Sequence, residues 1–176
     1  MVSIISLRLK LRPFLYSDLD AIHEYASNPD VTQYTLFGPN TLDETRAFLV
    51  HVIENEYKSI PQRSCEYGIE YESKLIGAVS IHYNGTFQEA EVGWILNPKY
   101  QHQGFAYEAA SALIKYGVNN FPLKRIIAHC DSRNTASYKL MEKLGMKFIS
   151  IEKGVKIEKI DGIHYRDEML YELRIE

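Results

Sequence analysis

Residues 97–106 of the chain have the sequence NPKYQHQGFA, and they are the most informative part of the chain for its fold. An apolar run precedes it at residues 92–96, and apolar residues at helical spacing follow it from Ala106 to Val118. The stretch therefore predicts a turn from the end of a strand into the start of a helix. The first turn of a helix has unpaired backbone N–H groups, and Gly104 would let an anion approach them closely. This pattern indicates a phosphate site, although a plain strand-to-helix turn would have the same spacing.

On the N-terminal side of this junction, the sequence predicts one strand and two helices. Residues 7–12 alternate between leucine and basic side chains, which is typical of a half-buried strand with its three leucines on one side. The first helix is predicted to begin after an N-cap at Ser17. A capping box of Thr41 and Glu44 predicts the start of the second helix, which we expect to end before Pro61.

The remaining segments complete a mixed sheet. Apolar residues at a spacing of two predict three strands between residues 64 and 96, with an Asn84-Gly85 turn before the third, which is an antiparallel meander. After the helix from Ala106, we expect a strand at 125–130, a helix at 134–144, and strands at 147–159 and 164–175 joined at Asp161-Gly162. The predicted order is βααβββαβαββ. The fold class is therefore α/β (α+β), with a single mixed, mostly antiparallel sheet and helices on both faces.

Composition narrows the classes of function. The 176 residues and 20.3 kDa fit a single domain over residues 1–176. A net charge of −3 and a pI near 6.1 provide no basic surface for nucleic acid as the main ligand. Apolar runs are far too short to cross a membrane, and no secretory signal is recognised, so we expect a cytoplasmic protein. Cys65 and Cys130 lie far apart in sequence without a CxxC pair, which fits a reducing compartment.

Six short motifs point to one family. Gln101-x-x-Gly104-x-Ala106 resembles the Gln/Arg-x-x-Gly-x-Gly/Ala signature of the GNAT acetyltransferases. The six motifs, one of which overlaps this signature, follow the order of the RimJ/RimL-like branch: LRP at 11–13 with Asp18, AEVGW at 90–94, GFAYEA at 104–109, NTAS at 134–137, EKLGM at 142–146 and RDEMLY at 166–171. The resemblance covers nearly the whole chain. It implies transfer of an acetyl group from acetyl-CoA to a primary amine, either a protein N-terminus or a small molecule.

The resemblance also implies a cofactor site. The backbone of Ile95, Leu96 and Asn97 would pair with the pantetheine arm as an added strand. The loop that begins at Gln101 would hold the pyrophosphate through the N–H groups of His102, Gln103, Gly104, Phe105 and Ala106. Asn134 would bond the cofactor arm and cap its own helix, because its side chain has both an oxygen and an NH2 group. No metal is expected, since Cys130 on a strand points away from both of its neighbours, His129 and Asp131.

The catalytic residues are harder to assign. Many GNAT enzymes protonate the departing thiolate with a tyrosine at the position of Met141, and a methionine cannot donate that proton. The resemblance to the RimL-like branch points instead to Ser137, with Tyr138 as the alternative. The acceptor amine must also lose a proton, and a nearby carboxylate is the expected base. Glu91 is the candidate; Glu89, on the same side of the strand, and solvent are the alternatives.

Two other functions remain open from the sequence. Met141 in place of the tyrosine would also fit a non-catalytic module that binds coenzyme A and serves as a sensor or scaffold. A nucleotide-binding α/β domain would bind ATP or NAD instead. No signature specifies the acceptor, although residues 37–39 are candidates for the wall of its pocket. The hairpin at 160–163 and exposed strands are candidates for a homodimer contact.

Overall fold

Eight strands form one sheet in the computed structural model, which describes residues 2–55, 63–159 and 162–176. The elements, in chain order, are β1 (Ile4–Ile5), β2 (Lys10–Arg12), α1 (Leu19–Ala26), α2 (Pro29–Thr32), α3 (Leu42–Asn55), β3 (Ser64–Tyr71), β4 (Lys74–Tyr83), β5 (Glu89–Leu96), α4 (Phe105–Asn120), β6 (Arg125–Asp131), α5 (Thr135–Lys143), β7 (Lys147–Lys159) and β8 (Gly162–Arg174). Short 3-10 helices cover Tyr16–Asp18 and Pro98–Tyr100.

The strands lie in the order β1-β2-β3-β4-β5-β6-β8-β7. Every neighbouring pair is antiparallel except β5 and β6, which are parallel. The predicted fold class is confirmed, as is the meander of β3, β4 and β5. The element order differs at two places, because the first strand is divided into β1 and β2 and because α2 adds a single helical turn after α1.

Two predictions near the N-terminus are wrong. The chain turns between β1 and β2, where the Ser6 N–H donates to the Leu9 carbonyl, so Leu7 stands at the turn with 91% of its surface exposed. Only Leu9 and Leu11 reach the core. Ser17 lies inside a 3-10 helix instead of capping α1. Asp18 is the N-cap of α1 but makes no side-chain capping bond to it; its carboxylate accepts the Leu15 N–H at 2.8 Å, at the start of the 3-10 helix.

Other local predictions hold. Thr41 and Glu44 form the capping box of α3, with the Thr41 N–H donating to the carboxylate at 2.8 Å and the Glu44 N–H donating to the threonine hydroxyl at 3.3 Å. The predicted end of this helix before Pro61 and the first half of the Asp161-Gly162 turn lie outside the described residues. β7 and β8 pair up to Lys159 and Gly162 on either side of that turn.

Helices cover both faces of the sheet, as predicted. On one face, α4 and α5 pack on the strands through a buried cluster that includes Phe105, Leu113 and Met141. On the opposite face, α1 and α3 contribute Ile22 and Leu49 to a second cluster. The sheet is thus enclosed where the helices lie. Within the described parts of the chain, no helix is both long and apolar enough to span a membrane.

Candidate functional site

A gap in the middle of the sheet is the main feature of the site. β5 and β6 pair over three positions, Glu89–Glu91 with Arg125–Ile127, and no further pairing between them occurs in the described residues. Beyond that point β5 continues along β4 as far as Leu96, while β6 continues along β8 as far as Asp131. The two central strands therefore diverge, which leaves the second half of β5 with an unpaired edge.

The direction of the backbone groups along β5 follows from one hydrogen bond. The Asn97 N–H donates to the Ile76 carbonyl of β4 at 2.9 Å, and the Asn97 carbonyl accepts the Tyr100 N–H. Because backbone groups alternate along a strand, Ile95 also faces β4, whereas Trp94 and Leu96 face the gap. Of the three residues predicted to pair with a cofactor arm, Leu96 is thus the one whose backbone is directed into the gap.

The loop between β5 and α4 is rigidly fastened. The Asn97 side chain caps the 3-10 turn by accepting the Lys99 N–H at 3.1 Å. Gln101 uses its amide NH2 to hold the Leu96 carbonyl at 3.2 Å. Gly104 is the N-cap of α4 with a φ of +81°, a left-handed conformation that favours glycine, and no side chain caps this helix end. The open N–H groups at the start of α4 are therefore presented to the outside, as predicted for a phosphate site.

Arg8, which the sequence analysis missed, ties this loop to the N-terminal hairpin. Its guanidinium donates to Glu108 on α4 at 2.7 Å and to the Gln103 carbonyl at 3.2 Å, and it lies 4.4 Å from the centre of the Phe105 ring. This places a positive charge beside the N-terminus of α4. The residue was hidden in the alternating basic pattern of its strand, because its partners are about a hundred positions away.

Glu91 and His129 form a pair on one face of the sheet. Oε1 of Glu91 lies 2.8 Å from Nδ1 of His129, at the point where β5 and β6 begin to diverge. The hydrogen bond to His129 lowers the pKa of Glu91, and the same bond raises the pKa of His129, because each side chain stabilises the charged form of the other. From the sequence, His129 was a candidate only for metal binding, and its pairing with Glu91 was not predicted. Glu89, the alternative base, is instead bound to Arg125 at 2.7 Å.

Ser137 and Asn134 lie on the opposite side of β6. The Asn134 side-chain oxygen accepts the Ser137 N–H at 3.1 Å, so its predicted capping of α5 is present. The Ser137 side chain interacts with the Cys130 thiol, and burial raises the pKa of that thiol to about 11. Cys130 is therefore a neutral thiol. Met141 is buried in the core beneath α5. Ser137 is thus the hydroxyl that α5 directs towards β6.

The loop between α2 and α3 leans over the face that carries Glu91. Lys159 donates to the Thr32 carbonyl at 2.7 Å, and Arg166 donates to the Tyr34 carbonyl at 3.3 Å. These contacts from β7 and β8 hold the end of α2 and the start of the loop, and Arg166 also acts on the charge of Glu91, so this part of the loop lies on the same side as the Glu91–His129 pair. Among the described residues, no group of three or more His, Cys, Asp and Glu side chains could hold a metal ion.

Comparison with known proteins identifies the family. The model of the acetyltransferase (GNAT) domain matches residues 8–147. The chain belongs to the GNAT acetyltransferase family. The uncharacterized N-acetyltransferase YnaD of Bacillus subtilis (strain 168) is 35% identical over 140 residues, which cover 80% of this chain and 79% of that protein. Spermidine N(1)-acetyltransferase of Escherichia coli (strain K12) is 27% identical over 138 residues, covering 78% and 72% of the two chains.

Solved structures share the whole fold. A GNAT family acetyltransferase from Bacillus anthracis superposes with a TM-score of 0.83 and 34% identity, covering 98% of both chains. RimL, a ribosomal L7/L12 alpha-N-protein acetyltransferase in complex with coenzyme A, superposes with a TM-score of 0.82 and 21% identity, covering 99% of this chain and 98% of RimL. The expected GNAT acetyltransferase, with acetyl-CoA as its cosubstrate and an amine as acceptor, is confirmed at the level of the family.

Proposed function

We propose that the protein transfers the acetyl group of acetyl-CoA to a primary amine by direct attack in a ternary complex, without a covalent enzyme intermediate. The observation that carries this proposal is the gap between β5 and β6, which has the Glu91 carboxylate on one face and the Ser137 hydroxyl on the other. A thioester held in such a gap can be approached by an amine from one side and release its thiol on the other.

Coenzyme A is proposed to bind along the edge of β5 and at the start of α4. Its pantetheine arm pairs with the Ile95–Asn97 segment, chiefly through the gap-facing backbone of Leu96. The pyrophosphate lies at the N–H groups of residues 102–106, where the fastening of Gln101 and the nearby charge of Arg8 support binding of an anion. Asn134 uses its oxygen for the helix cap, which leaves its NH2 group to donate to the cofactor arm.

The proposed chemistry needs one proton removed and one supplied. A lysine-like ammonium has a pKa of ~10.4 and an α-amine one of ~8, so the amine must be deprotonated before it attacks. Glu91 supplies the negative charge that drives this step. The neutral amine nitrogen then bonds to the acetyl carbon and loses its excess proton to solvent, and the carbon–sulfur bond breaks with its electron pair on sulfur. The Ser137 hydroxyl donates its proton to the departing thiolate and is reprotonated from solvent. Tyr138, which packs against the core, is the alternative donor.

The acceptor is proposed to be either a protein N-terminus or a small-molecule amine. The relatives named above include an enzyme of each kind, RimL and the spermidine acetyltransferase. The loop between α2 and α3, with residues 37–39, is proposed as the wall of the acceptor pocket, because it is held over the face that carries Glu91.

We further propose a homodimer and a cytoplasmic location. β7 is a sheet-edge strand of 13 residues, and Phe148, Ile149 and Ile151 on it are exposed. Such an edge can pair with the same strand of a second copy. Light scattering should then give twice the mass of 20.3 kDa, and a monomer at all concentrations would refute the dimer. The two cysteines are both unoxidised and buried, in keeping with a reducing compartment.

The function is tested by following free thiol during incubation with acetyl-CoA. The panel of acceptors contains peptides with different N-terminal residues, polyamines and amino acids, and a reaction without amine measures hydrolysis. We expect amine-dependent release of thiol together with an acetylated product detected by mass spectrometry. Tight binding of coenzyme A without turnover of any amine would favour the non-catalytic module instead.

A further inference from the structure

The hydrogen bond between Nδ1 of His129 and Glu91 determines the protonation state of the other ring nitrogen, Nε2. Nδ1 lies 2.8 Å from Oε1 of Glu91. An ionised carboxylate can only accept hydrogen bonds, so in the neutral imidazole the hydrogen must be on Nδ1. Nε2 then carries the free lone pair. No hydrogen-bond partner of Nε2 is found among the described residues, and the side chain remains 29% exposed.

The position of His129 brings this lone pair to the gap. Glu91 is paired with Ile127, the last position at which β5 and β6 are joined, and His129 lies two residues farther along β6. Its side chain is on the same face as Ile127 and Glu91, below the loop between α2 and α3 that we propose as the acceptor wall. An amine that enters from this face meets His129 where the strands diverge.

We infer that His129 takes the proton from the acceptor amine through Nε2, while Glu91 holds the imidazole by Nδ1 and stabilises the imidazolium that forms. This inference rests on the proposed function. The step is R–NH3⁺ plus imidazole giving R–NH2 plus imidazolium. The neutral amine then attacks the thioester, and the imidazolium returns its proton to solvent.

The acid–base properties of the two residues favour this order. The ordinary pKa values are 4.5 for a glutamate and 6.5 for a histidine, and their contact lowers the first and raises the second. The equilibrium constant for proton transfer from an ammonium is therefore ~100-fold or more larger when the imidazole is the acceptor than when the carboxylate is. The other charged groups that act on His129 are Glu168 and Arg166 on β8, and they oppose each other. From β4, His82 acts on Glu91.

The test compares His129→Gln with His82→Gln. The control removes a histidine of β4 that is likewise paired with a carboxylate, Glu66 at 3.3 Å, on the same face of the sheet and two strands away from β6. The rate is measured from about pH 5 to 9.5 at saturating acetyl-CoA, with two acceptors whose amines differ in pKa. A rising limb of the pH–rate profile whose midpoint stays the same for both acceptors reports the titration of an enzyme group and not of the amine.

We expect the wild type and His82→Gln to share a limb that rises through an apparent pKa above 6.5, assigned to the coupled pair. His129→Gln should lose this limb and ~10²-fold in kcat/KM, with unchanged affinity for acetyl-CoA in calorimetry. The double variant with Glu91→Gln should be about as slow as the slower single variant, because the two residues act as a unit.

Three results would overturn the inference. The first is a wild-type pH–rate profile with no rising limb of the enzyme between pH 5 and 9.5, which would assign the base to Glu91 itself with its lowered pKa and needs no variant. The second is a His129→Gln protein that keeps both the limb and the rate. The third is absence of acetyl transfer by the wild type to any amine, which removes the proposed function as well, so the two failures can be told apart.

Discussion

Replacing Gly104 by glutamate should abolish cofactor binding without unfolding the protein. Gly104 has a φ of +81°, and a non-glycine residue in this conformation costs about 1–2 kcal/mol. The nearest atom to an added Cβ is Nη2 of Arg8 at 3.5 Å, which is ordinary van der Waals contact, so no clash adds to the strain. For a chain of this length, the strain corresponds to a fall in Tm of roughly 2–8 °C.

The effect on binding should be much larger. The new carboxylate would lie next to the proposed pyrophosphate position, and two like charges 4 Å apart near a protein surface repel by about 4 kcal/mol. The glutamate would also compete for Arg8, which now holds the Gln103 carbonyl. With screening by salt, we expect the Kd for coenzyme A, measured by calorimetry, to rise by ~10²-fold or more.

Gly145→Glu is the matched control. Gly145 has a φ of +84° after the end of α5, and an added Cβ there would have its nearest contact at 3.8 Å, with Leu173. The control carries the same backbone strain and the same new charge away from the proposed phosphate position, so its Tm should fall while its Kd stays close to that of the wild type. A folded Gly104→Glu protein with a Kd within twofold of the wild type would refute the assignment of the loop.

Three further predictions concern the catalytic groups. Glu91→Gln should lower kcat/KM by ~10²-fold or more with nearly constant affinity for acetyl-CoA, and an unchanged pH–rate profile would contradict its role. Ser137→Ala should lower kcat by ~10- to 10³-fold, and the loss should be smaller with a thioester of a more acidic thiol. Turnover of the variant at the wild-type rate would assign protonation of the thiolate to Tyr138 or water. The Glu91–His129 pair should also make stability depend on pH: the part due to Glu91 is lost as the pH falls below its lowered pKa, and the part due to His129 is lost as the pH rises through its raised pKa. The Tm difference between the wild type and Glu91→Gln should therefore be largest between the ordinary values of 4.5 and 6.5 and shrink above about pH 8, and a flat difference would contradict the pairing.

The sequence predicted most of the fold because its local signals agreed with tertiary packing. The spacing of apolar residues in α4 matches the face that it buries, and the capping box at Thr41 is a purely local structure. The prediction that Leu7 is buried was wrong because the alternating pattern continues through the turn between β1 and β2, where Leu7 is exposed. The prediction for Ser17 was wrong because a 3-10 helix precedes α1, held by the bond from the Leu15 N–H to Asp18, which also pairs with Arg12.

The site was predictable only where it is contiguous in sequence. The loop at 97–106 has its chemistry in ten adjacent residues, so a pattern could find it. The pairing of Glu91 with His129 depends on two strands that are joined through a long helix and that stay together for three positions only. Arg8 reaches Gln103 and Glu108 across the whole first half of the chain. No spacing rule connects such residues.

The divergence of β5 and β6 also has a mechanical consequence. Among the described residues, the five strands β1–β5 and the three strands β6, β8 and β7 are joined in the sheet by three residue pairs, so the sheet is weakly coupled at its centre. An extended ligand that fills the gap acts as a splint between them. Its binding free energy is then added to the free energy that is needed to open the sheet locally. Amide hydrogen exchange at Trp94 and Leu96 should therefore slow when coenzyme A is bound.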